Sequence, residues 1–232
     1  MGIYNHNQNT RILVDGRSMT AVLNDSDMSN KRKSHDVTTY GMADEAAQGG
    51  LFTGTAKLKG FFSQADYDAL DGAAIVTRWP ALDTIGAPAE FMAVFSSNTP
   101  LNMPASAILQ MEVDLASSVR LDMGVSQHAL GAETATGAFT SVDGLAASAN
   151  GGAGVVHVTV ASAGVSGTLI IEHSANNSTW STLLTFAALT ATGAQIVAVP
   201  AGTAVQRYTR ARLSALTGTT PSLTFACAFA RR

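Results

Sequence analysis

Period-two patterning dominates the chain. Over residues 51–62, Phe52, Ala56, Leu58 and Phe62 fall on one face with Gly54 and Gly60 between them, while Thr53, Thr55, Lys57 and Lys59 fall on the other. Such alternation buries one side of a segment and wets the other, which predicts a half-buried antiparallel strand. The same period recurs over 107–115, where Leu109, Met111, Val113 and Leu115 alternate with Gln110, Glu112 and Asp114. Residues 11–14 and 18–23 flank Asp15-Gly16, a pair that tolerates positive φ and predicts a tight hairpin. Further strands are expected at 36–40, 74–79, 91–96 and 119–123, with Pro80, Pro88, Pro100 and Pro104 between them, where a lost backbone donor does least harm. One segment breaks the period. Residues 64–70 read as a helix, with Ser63 placed to cap it and Gly72 to end it; Asp66, Asp68 and Asp71 give it a water-facing side.

Beyond residue 123 the pattern changes. Residues 124–154 are Ala, Gly, Ser and Thr with little periodicity and close on Asn150-Gly151-Gly152, which predicts a boundary. Short β runs then recur at 155–161, 168–173, 180–186, 195–199, 206–213 and 222–230, separated by turns holding Gly, Asn or Pro. Regular strand spacing with polar turns predicts an antiparallel sandwich, immunoglobulin-like or jelly-roll-like. Leu223, Phe225, Cys227 and Phe229 line one face of its last strand. The expected fold is mainly β in two domains, 1–123 and 146–232, joined by a linker over 124–145. The second domain has its own strand set, so it is expected to bury a core alone. Residues 1–9 are polar and aperiodic and read as an arm.

Charge sharpens this division. Only 13% of residues are charged, about half the usual share, and a surface of Ser, Thr, Ala and Gly suits a chain in contact with copies of itself. A β protein with a Thr-rich exterior is the plainer alternative. The net charge of −3 supplies no global basic field for nucleic acid. Nine basic residues against fourteen acids give −5 over 1–130, and five arginines against three acids give +2 over 131–232. Cys227 is the only cysteine, so an internal disulfide is excluded. A leader pattern and an apolar run of the ~20 residues that span a bilayer are both missing, so no membrane insertion is expected.

Chemistry-bearing motifs are sparse. His6, His35, His128, His157 and His173 are scattered and lack zinc-site spacing. Walker and dinucleotide fingerprints are missing, and Asp66, Asp68 and Asp71 lack the spacing of a calcium loop. Cys227 reads as a small core residue. No catalytic, metal or cofactor site is expected, and the chain reads as non-enzymatic. The basic run Lys31-Arg32-Lys33 has two readings: a DNA contact, or a solvated loop that pairs with an acidic neighbour. An acidic chain with no aromatics interleaved in the run favours the second. With Asp44 and Glu45 it forms a polar 24–50 region that has no apolar face of its own, a candidate inter-subunit assembly loop.

Thr10-Arg11-Ile12-Leu13-Val14-Asp15-Gly16, then residues 23–33, then Asp36-Val37-Thr38-Thr39-Tyr40-Gly41 are similar in wording and order to the major tail (tail tube) proteins of long-tailed bacteriophages. The strand at 51–62, ending in Phe61-Phe62 before Ala65-Asp66-Tyr67-Asp68, continues the resemblance. The chain departs from that family at Gln48-Gly49-Gly50-Leu51, where a Pro-Gly-Leu segment is common. The resemblance implies an N-terminal sandwich of two packed antiparallel sheets with one flanking short helix. It also implies six-membered rings stacked into a hollow tube that conducts DNA during ejection. Tape measure and tail terminator proteins would be partners, genomic DNA would pass without specific binding, and the protein would be made in the host cytoplasm and reside in the virion tail. No cofactor is implied. Glu172-His173-Ser174 and Thr179-Trp180 resemble small β-sandwich modules appended to virion proteins, which puts residues 146–232 on the outside. For such a conduit, Gln110, Glu112 and Asp114 are the candidate lumen-lining face; pattern alone fits an exterior strand equally well. The rival functions are a capsid decoration or tail terminator protein, or a carbohydrate-binding module acting through Trp180 or Tyr208.

Overall fold

The computed structural model describes residues 10–36, 47–98, 101–102 and 110–232, with the backbone alone described at 33–36, 47–51 and 101–102. The arm expected at 1–9, the segment 37–40 and the pair Asp44 and Glu45 lie outside the described residues. The first hairpin is β1 (Arg11–Val14) and β2 (Arg17–Ser18), followed by the long pair β3 (Leu23–Asp36) and β4 (Ala47–Phe61) and the helix α1 (Gln64–Asp71). Then come β5 (Ile75–Trp79), β6 (Pro88–Ala93), β7 (Phe95–Asn98), β8 (Leu101–Asn102), β9 (Gln110–Ser117) and β10 (Asp122–Glu133). The remainder is β11 (Gly137–Ala138), β12 (Val142–Asp143), β13 (Gly152–Ala161), β14 (Ser166–Ser174), β15 (Ser181–Thr185), β16 (Gly193–Val199), β17 (Tyr208–Thr217) and β18 (Leu223–Arg231).

These strands form three antiparallel sheets, and the fold is mainly β as the patterning predicts. A central eight-stranded sheet runs β16-β13-β18-β10-β6-β5-β1-β2. The sheet β3-β4-β9-β7, with β8 on β9, covers one part of it, and β11-β17-β14-β15, with β12 on β17, covers another. The first hairpin turns where expected, with Asp15 at φ 46° and Gly16 at φ 83°. The Asp15 carboxylate then accepts from the Ala74 and Ile75 N–H groups at 2.8 and 2.9 Å, fixing the hairpin to the start of β5.

The linker expected over 124–145 is paired sheet. β10 lies at the middle of the central sheet: Asp122–Val125 pair with β6, and Val125–Glu133 pair with β18. β11 and β12 both pair with β17. Hydrophobic periodicity misses β10 because three successive buried residues are polar and each bonds inside, although Gln127 Oε1 is left without a partner. Ser126 Oγ donates to the Asp83 carbonyl at 2.7 Å, Gln127 Nε2 to Thr209 Oγ1 at 3.2 Å, and the His128 ring stands 3.2 Å from the Phe225 carbonyl.

Three apolar cores follow from this arrangement. Ile12, Val14, Leu58, Val76 and Val113 pack between the first half of the central sheet, the β3–β4–β9 sheet and α1. Val156, Leu169, Ile171, Phe186 and Phe225 pack between the second half and the β14–β17 sheet. The third core joins the halves: Leu13, Trp79 and Phe91 meet Ala153, Val155, Ala226, Ala228 and Ala230. β1 and β13 are distant in strand order yet share that core, so the central sheet curls on itself. Small alanines on one face of β18 let the curl close, while Phe225, Cys227 and Phe229 on its other face fill the second core. At the seam Gly16 abuts β13 and β16 so closely that a Cβ there would lie 2.3 Å from the Val158 carbonyl oxygen. Residues 146–232 thus share one sheet and one core with residues 10–123 and do not form a free-standing unit.

The helix also differs in detail from expectation. Ser63 takes the extended N-cap backbone (φ −136°, ψ 132°) but makes no side-chain cap, and Gly72 closes the helix at φ −88°, outside the left-handed region. Asp66, expected to face water, is buried and ion-paired with Arg17 at 2.6 Å.

Candidate assembly surface

The β3–β4–β9–β7 sheet carries both groups of residues singled out in the sequence. In β9, Met111, Val113 and Leu115 are buried, Gln110 is exposed, and Glu112 and Asp114 are half-buried on the opposite face. Strand register decides what those carboxylates meet. Glu112 stands opposite Lys59 and Asp114 opposite Lys57; across β4, Asp25 stands opposite Lys59 and Asp27 opposite Lys57. Each rung therefore reads acid–base–acid.

Lys57 Nζ pairs closely with Glu112 and stands 3.7 Å from Asp114, and Lys59 Nζ lies 3.3 Å from Glu112. Hydrogen bonding to Glu112 is the main cause that raises the Lys57 pKa, and hydrogen bonding to Lys57 is the main cause that lowers that of Glu112. The face is thus striped rather than uniformly acidic. Four carboxylates against two lysines leave −2 on the two rungs. The wet face of β4 was legible in the alternation of Lys57 and Lys59; their pairing with β9 was not, because a one-residue change of register would move every side chain to the other face.

The basic run lies on a strand rather than in a loop. Pairing of β4 with β9 ends at Gly54 opposite Ser117, whereas β3 and β4 continue to pair out to Asp36 opposite Ala47. Lys31 is exposed, and the Arg32 guanidinium sits over the Phe52 ring at 5.2 Å, an aromatic contact that reading the run by itself missed. At Lys33 only the backbone is described, and a register shift lies between Arg32 and Ser34. The ribbon is anchored at its root. Asn30 Nδ2 donates to the Leu121 carbonyl at 3.1 Å, Asn30 Oδ1 accepts from the Leu121 N–H at 2.6 Å, and the Gly54 N–H donates to Val119 O at 3.0 Å.

No protein-family model matches the chain, and no curated protein does. Among solved structures, a chain of the virion of the native gene transfer agent particle is similar at 17% identity and a TM-score of 0.39, covering 50% of this chain and 95% of that one. A chain from the tail of the empty gene transfer agent particle, of C6 symmetry, is similar at 13% identity and TM-score 0.39, covering 52% and 97%. The Dit protein of phage SPP1, described as a hub of the adsorption apparatus, is similar at 9% identity and TM-score 0.34 over 95% and 98%. Likenesses of this size assign no family, and function rests on the residues of this chain.

The remaining candidates are held in structural contacts. The Arg210 guanidinium lies over Trp180 at 4.0 Å while bonding Glu172 at 2.7 Å, and Arg207 lies over Tyr208 at 4.9 Å. Each aromatic ring proposed for sugar stacking therefore already has a guanidinium over one face. Arg207 also grips Asp143 through two bonds of 2.7 and 2.6 Å, which hold that carboxyl down to about 2. Burial pushes the Cys227 thiol up. His157 is fully buried at the seam, and desolvation lowers it to about 3. The Gly16 N–H donates to its Nδ1 at 3.2 Å, leaving Nε2 to carry the proton toward Thr77 Oγ1 at 2.7 Å. Among the described residues, no group of three His, Cys, Asp or Glu is placed to hold a metal ion, and no helix is long and apolar enough to cross a membrane.

Proposed function

We propose that this chain is a non-enzymatic structural subunit of a bacteriophage tail, polymerising into stacked rings whose bore carries DNA during ejection. The observation that carries this reading is the β3–β4–β9–β7 sheet, which packs one face on the core and leaves the other to solvent with its charged rungs and the exposed Phe61 and Phe95, with the 14-residue strand β3 at its edge. A long edge strand offers unpaired N–H and C=O groups to another chain. When the same edge is used head to tail and the rotation closes, the product is a ring. The number six, and the tape measure and terminator partners, come from the resemblance of residues 10–72 to tail tube proteins.

In that ring the face bearing Gln110, Glu112 and Asp114 lines the bore. Lys57 and Lys59 are held by carboxylates on β9, so they are poor partners for phosphate, and the net −2 of the rungs repeats around the ring. Repulsion between that field and the DNA backbone leaves a hydrated gap, and few counterions are released by contact, so the cargo slides without being held. The second half of the chain, which shares the central sheet, then forms the outer wall. Negative-stain microscopy of the purified protein tests the reading: striated tubes or rings are expected, whereas discrete monomers or trimers at all concentrations would favour a decoration or terminator protein.

A further inference from the structure

The outer face of the β11–β17–β14–β15 sheet departs from the acidic balance of the chain. Every lysine or arginine in residues 131–232 is an arginine, and Arg207, Arg210 and Arg212 fall on or beside β17. Against these three stand Asp143 and Glu172, so the face carries +1 on a chain of net charge −3.

Strand register assembles the cluster. Arg210 stands opposite Glu172 and Arg212 opposite Ile170, and Thr182 and Thr185 continue those two rows on β15. Leu169, Ile171 and Ala211 point into the second core, which turns the alternate set outward. Glu172 is only 5% exposed, and two guanidiniums share it. Its Oε2 accepts from Arg210 Nε at 2.7 Å and its Oε1 from Arg212 Nη1 at 3.2 Å. The Arg212 side chain is 48% exposed, and its Nε and Nη2 donors meet no partner among the described residues. Trp180, just before β15, is partly exposed beneath the Arg210 guanidinium at 4.0 Å. The turn that presents it is tied by Asn176 Oδ1, which accepts from the Ser178 and Thr179 N–H groups at 3.0 and 2.9 Å. Guanidinium and indole are thus held in place before a ligand arrives, which lowers the cost of ordering them.

The rest of the face selects the kind of ligand. Among the described residues, none of the large exposed hydrophobics lies on β14, β15 or β17, so the face lacks the apolar centre of a protein interface. A single net charge is too little for DNA, whose binding grows with the number of phosphates neutralised. A hydrated polymer of carboxylated sugars fits better. Guanidinium donors match a carboxylate with paired bonds, an indole offers apolar area to the face of a sugar ring, and Thr182 and Thr185 supply hydroxyls for the sugar's own.

We propose that the outer face around Trp180 and Arg212 is a binding site for an acidic polysaccharide whose sugars carry carboxylates. Each site is small, and an assembly that repeats it along one polymer gains avidity without new contacts. The site needs only an exposed sheet, so it stands or falls separately from the tube.

Intrinsic fluorescence of the whole chain tests this. Of the two tryptophans, Trp79 is fully buried, which leaves Trp180 to report on the face. At low salt, polygalacturonate is expected to shift the emission saturably, while neutral dextran and double-stranded DNA do not. Trp180→Phe is expected to remove the shift. Arg212→Ala is expected to weaken binding by about tenfold with an unchanged melting temperature, and Arg212→Lys to recover only part, because lysine keeps the charge without the planar set of donors. No saturable shift with polygalacturonate, or a shift that survives Trp180→Phe, would overturn the proposal. So would an equal response to DNA or full recovery by Arg212→Lys, since either would reduce the site to a general attraction for polyanions.

Discussion

The central sheet and the β3–β4–β9–β7 sheet are built from the same kinds of strand to opposite ends. In the central sheet both faces are covered: Leu13 enters the core inside the curl while Ile12 and Val14 enter the core under α1. Polar members such as Thr77 and His157 are buried there and bonded to each other. The second sheet buries Ala56, Leu58, Met111 and Val113 on one side and keeps ion-paired side chains and an unpaired edge on the other. Burial on both faces makes one element the folding unit of the whole chain; the one-sided sheet is left to meet other molecules.

The largest test of that contrast is truncation. A chain ending at Gly124 cuts β10 within its pairing and removes β13 and β18, which cover Leu13, Trp79 and Phe91. Circular dichroism and thermal melts are expected to find it without a cooperative transition. A well-folded truncated chain would mean that the halves are independent after all, as the Gly- and Ala-rich stretch in the sequence suggests.

Next in size are single aromatic truncations in each sheet. Phe91→Ala, at a fully buried position, is expected to cost about 3–5 kcal/mol by denaturant unfolding. Phe52→Ala, half exposed on the ribbon, is expected to stay within about 0.5 kcal/mol while impairing assembly. Equal costs would erase the distinction between a folding sheet and a meeting sheet.

Acid should act on the seam before it acts on the wet face. His157 has its folded pKa depressed to about 3, against 6.5 when unfolded. The unfolded chain therefore binds the extra proton between those values, and the stability from burying neutral imidazole, present above pH 6.5, is lost as pH falls toward 3. The slope approaches about 1.4 kcal/mol per pH unit for one such group. In urea melts from pH 7 to 4, His157→Gln is expected to flatten that slope. An unchanged slope would move the acid sensitivity elsewhere.

A modest effect on the monomer is expected from Glu112→Lys with Asp114→Lys. This exchange sets like charges opposite Lys57 and Lys59, at roughly 0.2–1 kcal/mol per pair. Assembly is expected to persist while DNA ejection slows, most at low salt. Unchanged ejection rates at low salt would remove the electrostatic role of this face.

Much of this design is legible in the sequence, and the parts that are not share a cause. The alternation over Gln110, Glu112 and Asp114 fixed the strand and its wet face, and Asp15-Gly16 fixed the first turn. Hydrophobic period could not find β10, where Ser126, Gln127 and His128 are the buried residues. Nor could it reveal that Asp66 meets Arg17, or that lysines stand between the acids of β3 and β9. Each depends on a partner distant in sequence, and local pattern carries no information about register.

The most direct test of the proposed tube is a cryo-electron microscopy map of the assembled protein at side-chain resolution. Gln110, Glu112 and Asp114, with Lys57 and Lys59 between the acidic strands, are expected to face the bore of a six-membered ring. A ring that carries those side chains on its outer surface would contradict the proposal.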